Sequence, residues 1–277
     1  MFVTTGKTVH KGIRSNKMEK FFENIKKYNR YSVRSAKAEL HSEVAGSHLN
    51  WLWWVIEPLC YMMIYTFIFG YVFSSNTPYF ASFVFIGITV WDFFNRMISG
   101  SVKTIVNNRD LVTKVYIPKY ILLIAKSYTY LFKMGISLII AFCLMIFQGV
   151  RITWRIIFII PIIAILYTVC LGLGMILMHF GVGLTDLQNL TNIALRMVFY
   201  MSGVFYNIRE RIHGMAQFLI LRMNPSAFLM SEMRKVMIEE KLPSFEGLLI
   251  WFTIGAVLCT IGVHLIHNNE NSYAKAV

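Results

Sequence analysis

"PLCYMMIYTFIFGYVFSSNTPYFASFVFIGITVW", residues 58–91, contains no Asp, Glu, Lys or Arg. A helix crosses a bilayer core with about 20 apolar residues. The run therefore holds material for two crossings, one on each side of the polar, proline-containing turn "SSNTPY" at 74–79. Residues 134–150, 156–185 and 247–269 are equally free of charge. Transmembrane strands would alternate polar and apolar residues over roughly ten positions, and these runs do not. Inside lipid the backbone must satisfy its own hydrogen bonds, which leaves helices. The sequence reads as an all-α polytopic membrane protein.

The composition agrees. Of the 277 residues, 56% are hydrophobic and only 15% charged, where a soluble domain carries about 25%. The first 50 residues hold ten Lys or Arg and no apolar core of signal-peptide length. The four cysteines, Cys60, Cys143, Cys170 and Cys259, lie in or beside apolar runs without metal-site spacing and read as small buried hydrophobes. The net charge of +13 is concentrated in the N-terminal segment and the loops, beside the apolar runs. An anionic membrane surface accounts for it. No nucleic-acid-binding module is present, so nucleic acid is not an expected partner.

Six spans are expected, at about 51–73, 80–101, 120–148, 154–182, 188–207 and 247–267. They follow a cytoplasmic N-terminal segment over 1–50. With the N-terminus inside, the inner segments carry fifteen Lys or Arg and the outer ones seven. This bias favours cytoplasmic N- and C-termini. Six of the outer seven fall in the long loop 208–246, which also carries Glu210, Glu232, Glu239, Glu240 and Glu246. That loop contains two short amphipathic pieces around Pro225, which fit a helical pair dipping into the membrane.

Between the second and third spans stands "IVNNRDLVTKVYIPKY", residues 105–120. Leu111, Val112, Val115 and Tyr116 recur at helical spacing among charges, so a short amphipathic helix is expected, stopped by Pro118. It suits either a loop resting on headgroups or a docking knob for a soluble partner. Over 17–48, Phe21, Phe22, Ile25 and Tyr28 are expected on one face of a basic amphipathic helix lying in the membrane interface. "TGKT" at 5–8 lacks the earlier glycine and the strand of a phosphate-binding loop, and no full nucleotide-binding motif appears elsewhere.

Three patterns together resemble a family. "LNWLWWVIEP" (49–58), "NNRDLVTKVYIPKY" (107–120), and "LTDLQNL" with "FYMSGVFY" and "RMNPSAFLMSEMR" occur in the order and spacing of polysaccharide-type ABC export permeases, the ABC-2 type. The similarity covers about 30–265. Asn50 stands where that family commonly has glycine, and "SGVFY" replaces its serine–proline–x–x–tyrosine. The resemblance implies a six-helix ABC-2 (type V exporter) fold with short re-entrant helices before the last span. It implies a homodimer in the bacterial cytoplasmic membrane, paired with two copies of a separate ATPase that binds Mg-ATP, with no cofactor in this chain. The cargo would be lipid-linked polysaccharide or teichoic acid. The resemblance assigns ATPase coupling to Asn108, Arg109, Asp110, Leu111, Lys114, Val115, Tyr116 and Pro118, with a second contact at Thr185 and Asp186. It makes the helix bearing Phe21, Phe22, Ile25 and Tyr28 a gate beside the substrate.

Aromatic residues are the remaining candidates. Trp53 fits an interfacial belt. Tyr61, Tyr65 and Phe69 form a stripe on the first span, and Tyr200, Phe205 and Tyr206 end the fifth. Bundle packing explains these residues, as does a sugar path in which flat apolar faces meet pyranose rings. Asp92 and Arg96 stand one turn apart and either neutralise each other or contact substrate. Lys119 and Lys126 can snorkel to the interface, while Lys133 is deep enough to face protein. No catalytic or metal-ligating cluster is apparent. Permeation of drugs or small lipids is an alternative. A membrane glycosyl- or acyltransferase is another, though it would need clustered carboxylates or histidines near one face.

Overall fold

A computed structural model describes residues 17–46, 48–72, 77–270 and 272–273. The described residues form a helical bundle. The helices are α1 (Lys17–Val44), α2 (Trp53–Tyr65), α3 (Phe80–Val102), α4 (Thr104–Asn107), α5 (Arg109–Lys114), α6 (Tyr120–Phe147), α7 (Ile159–Gly183), α8 (Leu187–Met201), α9 (Ile208–Arg211), α10 (Met215–Met223), α11 (Pro225–Met237) and α12 (Phe245–Asn268). α2 continues as a π-helix over Thr66–Val72, widening where Gly70 lies against the Phe80 ring.

Five segments are long and apolar enough to cross a membrane: Trp53–Val72, Phe80–Val102, Tyr120–Phe147, Trp154–Gly183 and Phe245–Asn268. α3 is the most enclosed and packs against α2, α6, α7, α8 and α11. The first span is barely enclosed by the rest of the chain.

α7 and α12 form the tightest seam. Gly255 meets Val169, Gly172 meets Leu258 and Cys259, and Gly262 meets Met175. Small residues let membrane helices approach closely. The pairing advances in the same direction on both helices, so they are parallel. The chain between them must therefore return across the bilayer.

That return is shorter than the expected span over 188–207. α8 has 15 residues and reaches about 22 Å at 1.5 Å per residue, short of a hydrocarbon core of about 30 Å. It ends because Gly203 adopts a left-handed φ of 67°, while the Ser202 hydroxyl donates back to the Val198 carbonyl at 2.6 Å. The hairpin α10–α11 completes the return. Asn224 caps α11, its side-chain oxygen accepting from the amides of Ser226 at 3.1 Å and Ala227 at 3.2 Å, with Pro225 in the first turn.

Two buried clusters of charge fasten this hairpin. The Arg234 guanidinium donates to the carbonyls of Phe83 (3.0 Å), Gly203 (2.7 Å) and Val204 (2.8 Å) and lies 3.5 Å from the Phe83 ring centroid. Glu232 is fully buried and accepts from Arg209 (2.9 Å), Lys235 (2.7 Å) and the Ser244 amide (2.7 Å).

Three sequence expectations change. Cys60 and Cys143 are exposed on the bundle's outer surface, and only Cys170 and Cys259 are buried. On a membrane span an apolar residue is equally at home facing lipid. Phe22 is 62% exposed, away from buried Phe21, because adjacent helical residues stand about 100° apart. Lys119 does not snorkel outward. It is buried, and its ammonium donates to the Val112 carbonyl at 3.2 Å.

Candidate functional site

The end of the bundle bearing α4 and α5 presents a compact knob. α3 stops at Val102, and α4 and α5 follow with breaks at Lys103 and Asn108. The Asn108 amide donates to the Thr104 carbonyl at 2.8 Å. α5 ends at Lys114, before the expected stop at Pro118, and Val115 is extended. Proline disfavours a helical conformation in the residue before it, so the segment entering Pro118 stays open.

Val112 points inward with Ile105, Ile117 and Tyr120. Leu111 is half-buried, and Pro118 is buried. Arg109, Asp110 and Lys114 face outward, and the Asp110–Lys114 pair at 3.0 Å is exposed on both sides. Val115 is 45% exposed and Tyr116 77%. One apolar side thus anchors the knob, and a second, aromatic-tipped side is left uncovered.

Thr185 and Asp186 occupy the exposed turn between α7 and α8. Asp186 precedes α8, but its side chain makes no capping bond. Gly181 lies against the Val102 carbonyl. The turn and the knob therefore emerge at the same end of the bundle.

α1 is amphipathic, with Phe21, Ser32, Ala36 and Val44 buried and Ile25 and Tyr28 packed beside them. It is inclined along α6 rather than perpendicular to it. Asn24 donates to the Tyr120 hydroxyl (2.8 Å), Asn29 accepts from the Tyr128 hydroxyl (3.1 Å), Glu39 accepts from Thr129 (3.0 Å), and Glu43 pairs with Lys133 (2.5 Å). These contacts climb from Tyr120 to Lys133, about 20 Å of α6. Polar partners spaced along α6 hold α1 in that tilt.

The aromatic candidates converge near the far end of α8. Tyr61 stacks on Tyr65 (6.2 Å between centroids). Phe205 lies 4.4 Å from Tyr65 and 4.6 Å from Phe69. The Tyr206 hydroxyl donates to the carbonyl of Tyr200 at 3.0 Å, and the Tyr200 side chain is 69% exposed. Trp53 stands apart, about two turns below Tyr61 at the start of α2.

Several residues of this face were missed from the sequence. Trp91 and Phe199 extend the cluster, with Phe199 5.2 Å from Phe205 and 5.1 Å from Trp91. Below them, Gln188 donates to Ser99 (3.0 Å) and Asn192 (3.3 Å), and Ser99 donates to Asn192 (3.0 Å). Trp91, Asn95, Ser99, Asn192, Arg196 and Tyr200 are among the residues lining a groove of about 570 Å³. The signal was present as two stripes at four-residue spacing, Trp91–Asn95–Ser99 and Gln188–Asn192–Arg196. Chemically, the groove offers flat apolar faces, neutral hydrogen-bonding groups and one cation, the Arg196 guanidinium.

Asp92 and Arg96 pair at 2.7 Å, as their spacing suggested, and Glu57 joins from α2 at 3.7 Å. Among the described residues no group of His, Cys, Asp or Glu is arranged to hold a metal ion.

The chain is 26% identical to the O-antigen export system permease protein RfbA of Myxococcus xanthus over 260 residues, 94% of this chain and all of that protein. It is 23% identical to a permease of the same name from Klebsiella pneumoniae over 243 residues, 86% of this chain and 91% of that one. The family described as ABC-2 type transporter matches residues 36–238. That match takes in the knob, the aromatic face and the hairpin, so this chain belongs to the ABC-2 type transporter family.

Proposed function

We propose that this chain is the membrane-spanning subunit of an ATP-driven exporter that moves lipid-linked cell-surface polysaccharide across the bacterial cytoplasmic membrane. Family membership and the two relatives' names support the transport class and the cargo. The observation that carries the mechanism is the knob, an apolar, aromatic-tipped surface at the basic end of a membrane protein, beside the exposed Thr185–Asp186 turn.

In this reading the basic end is cytoplasmic, as the loop charges favour. Two copies of the chain assemble, and the little-enclosed first span lies near the second copy. Two copies of a separate ATPase hold Mg-ATP and dock on Asn108, Arg109, Asp110, Leu111, Lys114, Val115 and Tyr116, with Thr185 and Asp186 as the second contact. Closure of the ATPases pushes α5, and the push reaches α3 and α7 through the Val102–Gly181 contact. α1 gates access for the lipid-linked end of the cargo. Sugar rings pass along Tyr61, Tyr65, Phe69 and Tyr200, backed by the buried Phe205 ring, where ring stacking holds them and Asn95, Asn192 and Arg196 offer hydrogen bonds to hydroxyls. Such contacts are individually weak, which suits a polymer that must slide.

Val115→Asp with Tyr116→Asp tests the docking. Both side chains are exposed, so the fold should survive with its thermal midpoint unchanged. Losing two apolar anchors in an interface centre is expected to weaken ATPase binding by about 100-fold or more. Co-purification and ATPase stimulation read the loss. Full binding by this double variant would remove the proposed docking surface.

A further inference from the structure

A cavity of about 320 Å³ opens between α10 and the first turns of α12. Ile266, near the other end of α12, shares an apolar cluster with Val112 and Ile117 of the knob. α12 has 24 residues and covers about 36 Å. The cavity therefore lies at the membrane surface opposite the knob.

Its floor is aromatic. Trp251 and Phe228 are buried, and the Phe228 ring fits because position 247 is glycine, where a Cβ would overlap it. Its rim is charged. Arg209 enters from α9, held by the buried Glu232 carboxylate at 2.9 Å. Arg222 enters from α10 and lies 4.9 Å from the Phe218 ring centroid. Gln217 and Glu246 complete the rim. Lys235 shares Glu232 at 2.7 Å. Three cations thus face two carboxylates, Glu232 and Glu246, which leaves one positive charge in excess.

The outer side of α10 is apolar. Met215, Phe218, Leu219 and Met223 are exposed, as are Phe245 and Leu249 of α12. In a membrane protein such a face lies against lipid. Arg222 is exposed within it, and a cation at a lipid-facing position is stable where an anion meets it. At the membrane surface that anion is a lipid phosphate.

We propose that this cavity binds the headgroup of an anionic phospholipid in the leaflet opposite the knob. The phosphodiester sits between the Arg222 and Arg209 guanidiniums, whose planar forks suit phosphate oxygens. Headgroup hydroxyls meet Gln217 and Glu246, and the acyl chains lie along the apolar side of α10. A phosphodiester carries one negative charge and matches the excess, whereas a zwitterionic headgroup brings a further cation. The volume is at the lower end of the range for small-ligand sites, about 300–1,000 Å³, and takes the headgroup but not its chains. The bound lipid fastens α10 to α12. The site requires only that the chain spans a membrane, so it stands apart from the cargo and the ATPase.

The test titrates the detergent-solubilised full chain with phosphatidylglycerol. Bound lipid is counted by native mass spectrometry, with the thermal midpoint as a second readout. The wild type should retain one lipid per chain that phosphatidylcholine does not displace. Arg222→Gln is expected to weaken retention about tenfold, and Arg222→Lys less, since it keeps the charge without the fork. Arg211→Gln removes an exposed cation of α9 that does not line the cavity, and should bind like the wild type. Gln217→Trp fills the cavity and should abolish retention.

Equal weakening by Arg211→Gln and Arg222→Gln would reduce the effect to general charge attraction and overturn the site. Equal retention of phosphatidylcholine would overturn its charge selectivity. A midpoint rise with inorganic phosphate alone, equal to that with lipid, would make it a site for free anions. Displacement of phosphatidylglycerol by an equal concentration of a polyprenyl diphosphate would overturn the resident lipid in favour of a carrier lipid. Arg222 is exposed and outside the Glu232 network, so its variants should fold. If Gln217→Trp does not, the comparison of Arg222→Gln with Arg211→Gln decides alone.

Discussion

Arg234→Met is expected to lower the thermal midpoint of the detergent-solubilised chain by about 6–12 °C, following a loss of about 3 kcal/mol in a chain of this size. The arginine fork satisfies three carbonyls at once, those of Phe83, Gly203 and Val204. Two of these belong to the turn after α8, where the helix has already ended. Methionine fills much of the volume but donates nothing, and each stranded carbonyl costs about 1–3 kcal/mol when water cannot reach it. The stacking of the guanidinium on Phe83 is lost as well. Lysine cannot reproduce the planar fork, so Arg234→Lys should recover only part of the loss. The comparison is informative because Arg234 lies far along the chain from the knob. Its removal should loosen the hairpin, read as faster proteolysis in 203–240, without altering ATPase binding by the folded fraction. A midpoint shift below about 2 °C would show that the three carbonyls find other partners.

The second large effect is expected at Gly181→Val. A Cβ at this position overlaps the Val102 carbonyl oxygen and approaches the Val102 carbonyl carbon to 2.9 Å. Both atoms are backbone, so no rotamer change relieves the clash. α7 must move away from the junction of α3 and α4. Overpacking of this kind costs about 1–3 kcal/mol, and the movement falls where the knob and the Thr185–Asp186 turn share their base. ATPase binding is expected to fall at least about tenfold, because the two contacts no longer have the spacing of one partner surface. Gly183→Val is the control, since no atom lies within 4 Å of a Cβ there. It should leave binding unchanged. Equal loss in both variants would mean that the Val102 contact does not set the spacing.

The spans were legible because charge-free runs have one physical solution in lipid. The knob was legible because charges and a proline interrupt those runs, and the two helical pieces around Pro225 because their own period shows through. Which side of an apolar helix faces protein was not legible. Cys60, Cys143, Cys170 and Cys259 look alike in sequence, yet two face outward and two inward. The run "FYMSGVFY" reads as the end of a span, but Gly203 turns the backbone inside it. Charged residues were paired correctly when the partner lay one turn away, as for Asp92 and Arg96. Glu57 with Arg96, Glu43 with Lys133 and Arg209 with Glu232 required the fold, since sequence distance hides such partners. The polar stripes on α3 and α8 were visible but mute until Ser99, Asn192 and Gln188 were seen to join them.

The central claim is that this chain converts the work of a separate ATPase into passage of a glycan through lipid. The direct measurement reconstitutes the purified chain and the ATPase into vesicles with lipid-linked polysaccharide on the ATPase side. Glycan reaching the other leaflet is scored by its accessibility there to a glycosidase. Transfer should require ATP, both subunits and an intact Val115–Tyr116 surface. Transfer by the chain without the ATPase, or undiminished transfer by the Val115→Asp, Tyr116→Asp variant, would contradict the account.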